Sequence, residues 1–173
     1  MAHTTLLNFP ANAMFGDNDA QLVAGDNPAV HDVFEGRPCL ALDDTDEAAA
    51  LTPEVAMPGQ YAGGTLKATI HFFTASDNTN DLAMDVFVEA KTPHSDTLDM
   101  KSATGWDSAN SGTVSVSGST AGDPLTLTIT LTNKDSVAAS DLVRFGFRRD
   151  CDSGNDDISG DVYVAALEIW EDT

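Results

Sequence analysis

From Leu125 to Thr132 the chain reads Leu-Thr-Leu-Thr-Ile-Thr-Leu-Thr, a strict alternation of apolar and hydroxyl side chains. Successive side chains of an extended strand point to opposite faces, so this beat predicts a strand with one dry face and one wet face. Leu125, Leu127, Ile129 and Leu131 are then inward and Thr126, Thr128, Thr130 and Thr132 outward. The same period recurs along most of the chain. Met84, Val86 and Val88 alternate with Asp85, Phe87 and Glu89, and Val143, Phe145 and Phe147 alternate with Arg144 and Arg148. Near the C-terminus Tyr163, Ala165, Leu167 and Ile169 fall on one face, and Val162, Val164, Ala166, Glu168 and Trp170 on the other. Both faces there are fairly apolar, which predicts a strand that is central in its sheet or covered by a partner.

Pattern and turn residues together predict strands over 4–9, 29–34, 38–42, 52–57, 65–74, 82–91, 113–117, 125–132, 142–149 and 162–170. Pro53 and Pro58 cannot donate to a ladder and mark 52–57 as an edge segment. The run Ala48-Ala49-Ala50 makes Asp46–Leu51 the one helical window, about a turn and a half long. Strands joined by turns, with no crossover helices, predict an all-β fold: an antiparallel β-sandwich, jelly-roll-like rather than immunoglobulin-like. The Cys…Trp…Cys spacing of immunoglobulin domains is absent. Residues 1–28 carry little strand signal and hold Phe9, Met14 and Phe15 as isolated hydrophobes. They are expected to form an extended N-terminal arm, with an ordinary first strand and loop folded on the sandwich as the alternative that sequence leaves open, and 29–173 a single sandwich domain, a usual size for one core.

Charge narrows the partners. The chain has 28 acidic and 8 basic residues among 173, a net charge of -20. Nucleic acid is excluded, because binding a line of phosphates needs clustered Lys and Arg. An anionic membrane surface would repel the chain, and no run approaches the ~18 apolar residues of a membrane helix. No basic cluster with an apolar segment opens the chain, so synthesis in a reducing cytoplasm is expected. Cys39 lies in an apolar run and Cys151 in an acidic loop. Two free thiols are expected, with a disulfide as the alternative that sequence leaves open.

Three places carry candidate chemistry. In the loop from Asp150 to Asp161, Asp150, Asp152, Asp156 and Asp161 take the first, third, seventh and twelfth positions, the spacing of a calcium loop. Gly154 at the fifth position and Asn155 at the sixth depart from that pattern, and flanking strands exclude an EF-hand. The competing reading is a solvated hairpin loop rich in turn residues. Trp106 and Asp107, in a polar loop, have the equipment of a sugar contact, a ring beside hydrogen-bonding groups; the competing reading is a loop anchor. Asp43, Asp44, Asp46 and Glu47 form an acidic run that reads better as a strand exit than as a general acid and base. His3, His31, His71 and His94 share no metal-ligand spacing. No Gly-x-Ser-x-Gly elbow or phosphate-cradling glycine motif is present, so no enzymatic activity and no cofactor other than Ca2+ are expected.

The opening Met1-Ala2-His3-Thr4-Thr5, the Thr/Ser-alternating strands, Tyr61-Ala62-Gly63-Gly64-Thr65-Leu66 and the ending from Val164 to Glu171 together resemble the small virion-surface jelly-roll proteins of tailed bacteriophages, in particular capsid decoration (cement) proteins. The resemblance implies a structural role at the virion surface, binding to the major capsid protein, and a homo-oligomer, commonly a trimer. It carries over no catalytic residue. The alternative function is glycan binding, as a receptor-binding module of a phage fibre or as a carbohydrate-binding module.

Overall fold

A computed structural model of the chain describes residues 2–17, 22, 27–76, 80–96 and 105–173. Its strands are β1 (His3–Pro10), β2 (Phe15–Gly16), β3 (Val30–Phe34), β4 (Arg37–Leu42), β5 (Ala49–Leu51), β6 (Val55–Ala56), β7 (Thr65–Thr74), β8 (Asp81–Lys91), β9 (Asn110–Ser115), β10 (Leu125–Thr130), β11 (Leu142–Arg149) and β12 (Val162–Asp172). They form two six-stranded sheets. The first runs β10-β7-β12-β4-β3, with β1 beside β12; the second runs β2-β5-β11-β8-β9, with β6 beside β11. Every strand pairing is antiparallel. The fold is therefore the antiparallel β-sandwich that the alternation predicts.

The core lies between the sheets. Leu127, Ile129, Val86, Val88, Phe145 and Phe147 are buried there, with Leu40, Leu66, Ile70 and Phe72 from the strands of the first sheet. Their facing is the one predicted, because a one-residue slip would turn each apolar set toward water. In β12 the simple period fails. Val164 pairs with Phe72 and Ala166 with His71, leaving Ala165 as an extra residue between them. Such a bulge shifts the phase of every side chain beyond it. Val162, Val164, Leu167 and Ile169 all enter the core, and Tyr163 and Trp170 turn outward. The bulge sits where β12 exchanges neighbours, from β4 at Val162–Val164 to β1 beyond Ala166.

Three local expectations differ from the structure. The helical window 46–51 is a bend followed by β5. Ala49, Ala50 and Leu51 are buried between β2 and β11, and small side chains suit that close approach better than a short, isolated turn of helix. The stretch 1–28 does not stand off as an arm where it is described. β1 pairs with β12 along its length, and Phe9 and Met14 are buried in the shared core; Phe15 stays 44% exposed. Their apolar company is supplied by strands distant in sequence. The edge segment 52–57 shortens to β6.

Leu127 is 4% exposed within this core. Leu127→Ala is expected to lower unfolding stability by about 2–5 kcal/mol in urea titration, the cost of a large-to-small change with an unfilled cavity. A change below about 0.5 kcal/mol would contradict the inward facing of β10, since exposed sites move stability that little.

Candidate functional site

The outer faces of the two sheets are built differently. The second sheet is covered by charge. Glu89, buried on β8, receives Arg144 of β11, Lys91 and the Gly105 amide. Burial alone would raise its carboxyl; the hydrogen bonds of Arg144 and Gly105 outweigh that and hold it below its ordinary value. Lys91 also reaches Glu54 at 3.2 Å. Arg148 bridges Asp85 at 2.8 Å and Glu47 at 2.7 Å. The Arg144 guanidinium lies over the Trp106 ring at 4.5 Å, and that of Arg148 over Phe87 at 5.6 Å.

On the first sheet, half of the outer face is filled in the same way. Trp170 stands between His3, stacked on it at 4.1 Å, and the Lys67 ammonium, 4.8 Å from its ring centre. Its indole N–H donates to Thr69 at 2.9 Å. Glu168 accepts from Thr5 and from His3 at 3.0 Å, with His71 at 3.7 Å. Burial works against its charge, but these hydrogen bonds prevail and lower its pKa.

The other half is open. Phe73 and Tyr163 stack with ring centres 5.5 Å apart, and Phe34 tilts onto both at 5.0 and 5.1 Å. Beside them lies a hollow of about 400 Å3 lined by Phe34, Glu35, Arg37, Phe73, Ala121 and Gly122. A second, of about 170 Å3, shares Arg37, Phe73 and Gly122 and continues past His71, Pro124 and Thr126. The two make one groove across β3, β4, β7 and the start of β10.

Local sequence explains its walls. Glu35 and Gly36 both take positive φ, 49° and 80°, which makes the tight β3–β4 hairpin and returns Arg37 to register with Phe34. Gly122, at φ 82°, donates to the Thr74 carbonyl at 2.9 Å and closes the loop against Phe34. Burial pushes the Tyr163 hydroxyl and the Cys39 thiol above their ordinary values, and the Asp32 charge adds to both. Both stay protonated at neutral pH.

The predicted site residues lie elsewhere. The four loop aspartates are not brought together. Asp156 is buried against the fully buried Arg149, at 2.8 Å, and also accepts from the Ala83 amide. Arg149 further donates to the carbonyls of Ile158 and Gly160. A fixed guanidinium thus already occupies the inside of the loop. Asp150 and Asp152 lie instead beside Glu47, whose carboxyl is raised chiefly by burial. Burial also raises Asp161, with Asp43 and Asp44 adding to it. Among the described residues no three His, Cys, Asp or Glu side chains gather around a metal position. Trp106 sits half-buried beneath Arg144, its indole N–H without a hydrogen-bond partner among the described residues. Asp107 uses one oxygen for Ser108 and the other for Asp135. In the acidic run, Asp43 accepts from Thr45, and Asp44 from Gly160. The residues lining the groove, Phe34, Arg37 and Phe73 among them, are not the candidates that the sequence singled out. The Glu35-Gly36 turn and the outward phase of His71 and Phe73 in β7 were the available signals.

No family model matches the chain, and no curated protein matches it. Among solved structures it is similar to a xylan-binding module, CBM15, at 16% identity over 96% of this chain and 97% of that one, with a TM-score of 0.47. It is similar to the K3 adhesin domain of Lys-gingipain from Porphyromonas gingivalis, at 13% identity over 95% and 98%, TM-score 0.48. A module specific for non-crystalline cellulose, CBM28, matches at 8% identity over 92% and 87%, TM-score 0.43. Likeness at this level carries no argument about ligands. The sandwich implied by the resemblance to virion decoration proteins is present. The capsid lattice, the major capsid protein and the trimer find no support in the fold or in these comparisons.

The Glu89 network sets a pH dependence. A carboxyl held below its ordinary value of 4.5 contributes stability above that pH and loses it as the pH falls through the folded value. Glu89→Gln is expected to cost about 3–5 kcal/mol at pH 7, since it leaves Arg144 without its carboxylate while Lys91 keeps only Glu54. Denaturation profiles of parent and variant should converge below about pH 4.5. A gap that stays constant from pH 7 to 3 would contradict the account.

Proposed function

We propose that this chain is a non-catalytic carbohydrate-binding module that takes a saccharide along the groove on the outer face of its first sheet. The observation that carries this reading is the groove itself. It is open, it lies within the volume range of ligand sites, and it sets aromatic rings beside unlike polar groups. A pyranose has a face of C–H bonds and a girdle of hydroxyls. The ring of Phe34 suits the first, with the buried Phe73 ring packed beneath it. Arg37, Glu35, His71 and Thr126 along the groove suit the second, supplying both donors and acceptors. His71 and Thr126 are cross-strand neighbours in it, but among the described residues no hydrogen bond joins the Thr126 hydroxyl to the imidazole, and the ionisable Tyr163 and Cys39 behind it are held protonated.

Affinity electrophoresis in gels containing soluble plant, bacterial and animal polysaccharides tests this. At least one polysaccharide should retard the parent chain. Phe34→Ala should weaken that binding about 10- to 100-fold, as truncating an aromatic anchor does, and Trp106→Ala should leave it unchanged. Retardation by no polysaccharide, or loss in Trp106→Ala with retention in Phe34→Ala, would overturn the reading.

A further inference from the structure

Among the described residues the cations are almost all spoken for. Lys67 pairs with Asp172, Lys91 with Glu54 and Glu89, Arg144 with Glu89, Arg148 with Asp85 and Glu47, and Arg149 with Asp156. Lys134 donates to the Tyr61 hydroxyl and the Gly64 carbonyl. Among the described residues Arg37 is the exception: no ion pair or hydrogen bond engages its side chain, and it lines both hollows of the groove. This is unexpected in a chain with 28 carboxylates to 8 basic residues. Glu35, two residues away on the same hairpin, does not pair with it.

Arg37 is in register with Phe34 across the hairpin, so guanidinium and ring share one wall of the larger hollow. A pyranose laid on Phe34 carries its C5 substituent at the rim of the ring. In a uronate that substituent is a carboxylate, which accepts two parallel N–H bonds from a guanidinium. The net charge of -20 makes the local cation necessary, since the field of the whole molecule repels an anionic chain. We infer that the groove selects an acidic saccharide, one bearing uronate carboxylates, and that Arg37 is the residue that reads them. This rests on the reading of the groove as a saccharide site.

The test uses the full chain with short oligosaccharides of galacturonate, glucuronate and mannuronate, each beside its carboxyl-reduced neutral counterpart, by isothermal titration. The parent is expected to prefer at least one acidic form about 10- to 100-fold, the worth of a charge-assisted pair. Arg37→Gln should lose that preference and bind the acid only as well as its neutral counterpart, and Arg37→Lys should keep part of it. The melting curve of Arg37→Gln should overlay the parent's, because the side chain holds nothing in place. Neutral forms bound equally or better, with binding still lost in Phe34→Ala, would overturn the role of Arg37 and leave the saccharide reading standing. No binding of any acidic form by a parent chain that a neutral polysaccharide retards in the gel would likewise overturn the uronate inference alone, and only the absence of retardation by every polysaccharide would overturn both.

Discussion

One extra residue in β12 sets the two faces of the first sheet. Without the bulge at Ala165, strict alternation would carry either Val162 and Val164 or Leu167 and Ile169 out to solvent. With it, all four are buried and contribute to one core, each worth on the order of 1.5–3 kcal/mol of burial. The same shift turns Tyr163 outward onto Phe73 and Trp170 outward between His3 and Lys67. The open aromatic patch and the filled polar patch are thus two products of one backbone irregularity. Its position, where β12 changes partner from β4 to β1, is where an unpaired residue costs the ladder least.

Acidity works inside this fold as well as around it. Glu89, Asp156 and Glu171 are among its most buried side chains, and each has a defined load. Glu171 receives the amides of Ala62 and Gly64, tying the end of β12 to the loop before β7. Asp156 neutralises Arg149, and Glu89 holds Arg144 and Lys91. Buried pairs of this kind add little net stability, because desolvation offsets attraction. What they do is cover the second sheet and fix the acidic loop, so that the open surface lies on the first sheet, in the half not filled by Trp170 and Glu168.

The fold was legible where a strand has one dry and one wet face. Stretches such as 125–130 and 143–148 state their facing residue by residue. β12 was not, because its phase shift falls on the Ala165-Ala166 pair, two side chains too small to mark a face. The alanine run at 48–50 suggested helix by propensity, and pairing with β11 and β2 overrode it. The candidate groove was largely hidden. Its walls come from a hairpin near residue 35, a strand near 72 and a loop near 122, brought together only by strand order. Trp106 attracted attention by residue type, and nothing in sequence shows that Arg144 covers it. That Arg37 has no partner among the described residues is likewise a property of three-dimensional neighbours.

The central claim is that recognition takes place on the outer face of the first sheet, at the β3–β4 hairpin. Amide chemical-shift mapping during titration with a bound saccharide tests it most directly. The account predicts shifts concentrated at Phe34, Glu35, Arg37, His71, Phe73, Gly122 and Thr126, with the residues around Arg144 and Glu89 unmoved. Shifts centred on Trp106, Arg144 and Glu89, with the hairpin silent, would contradict it.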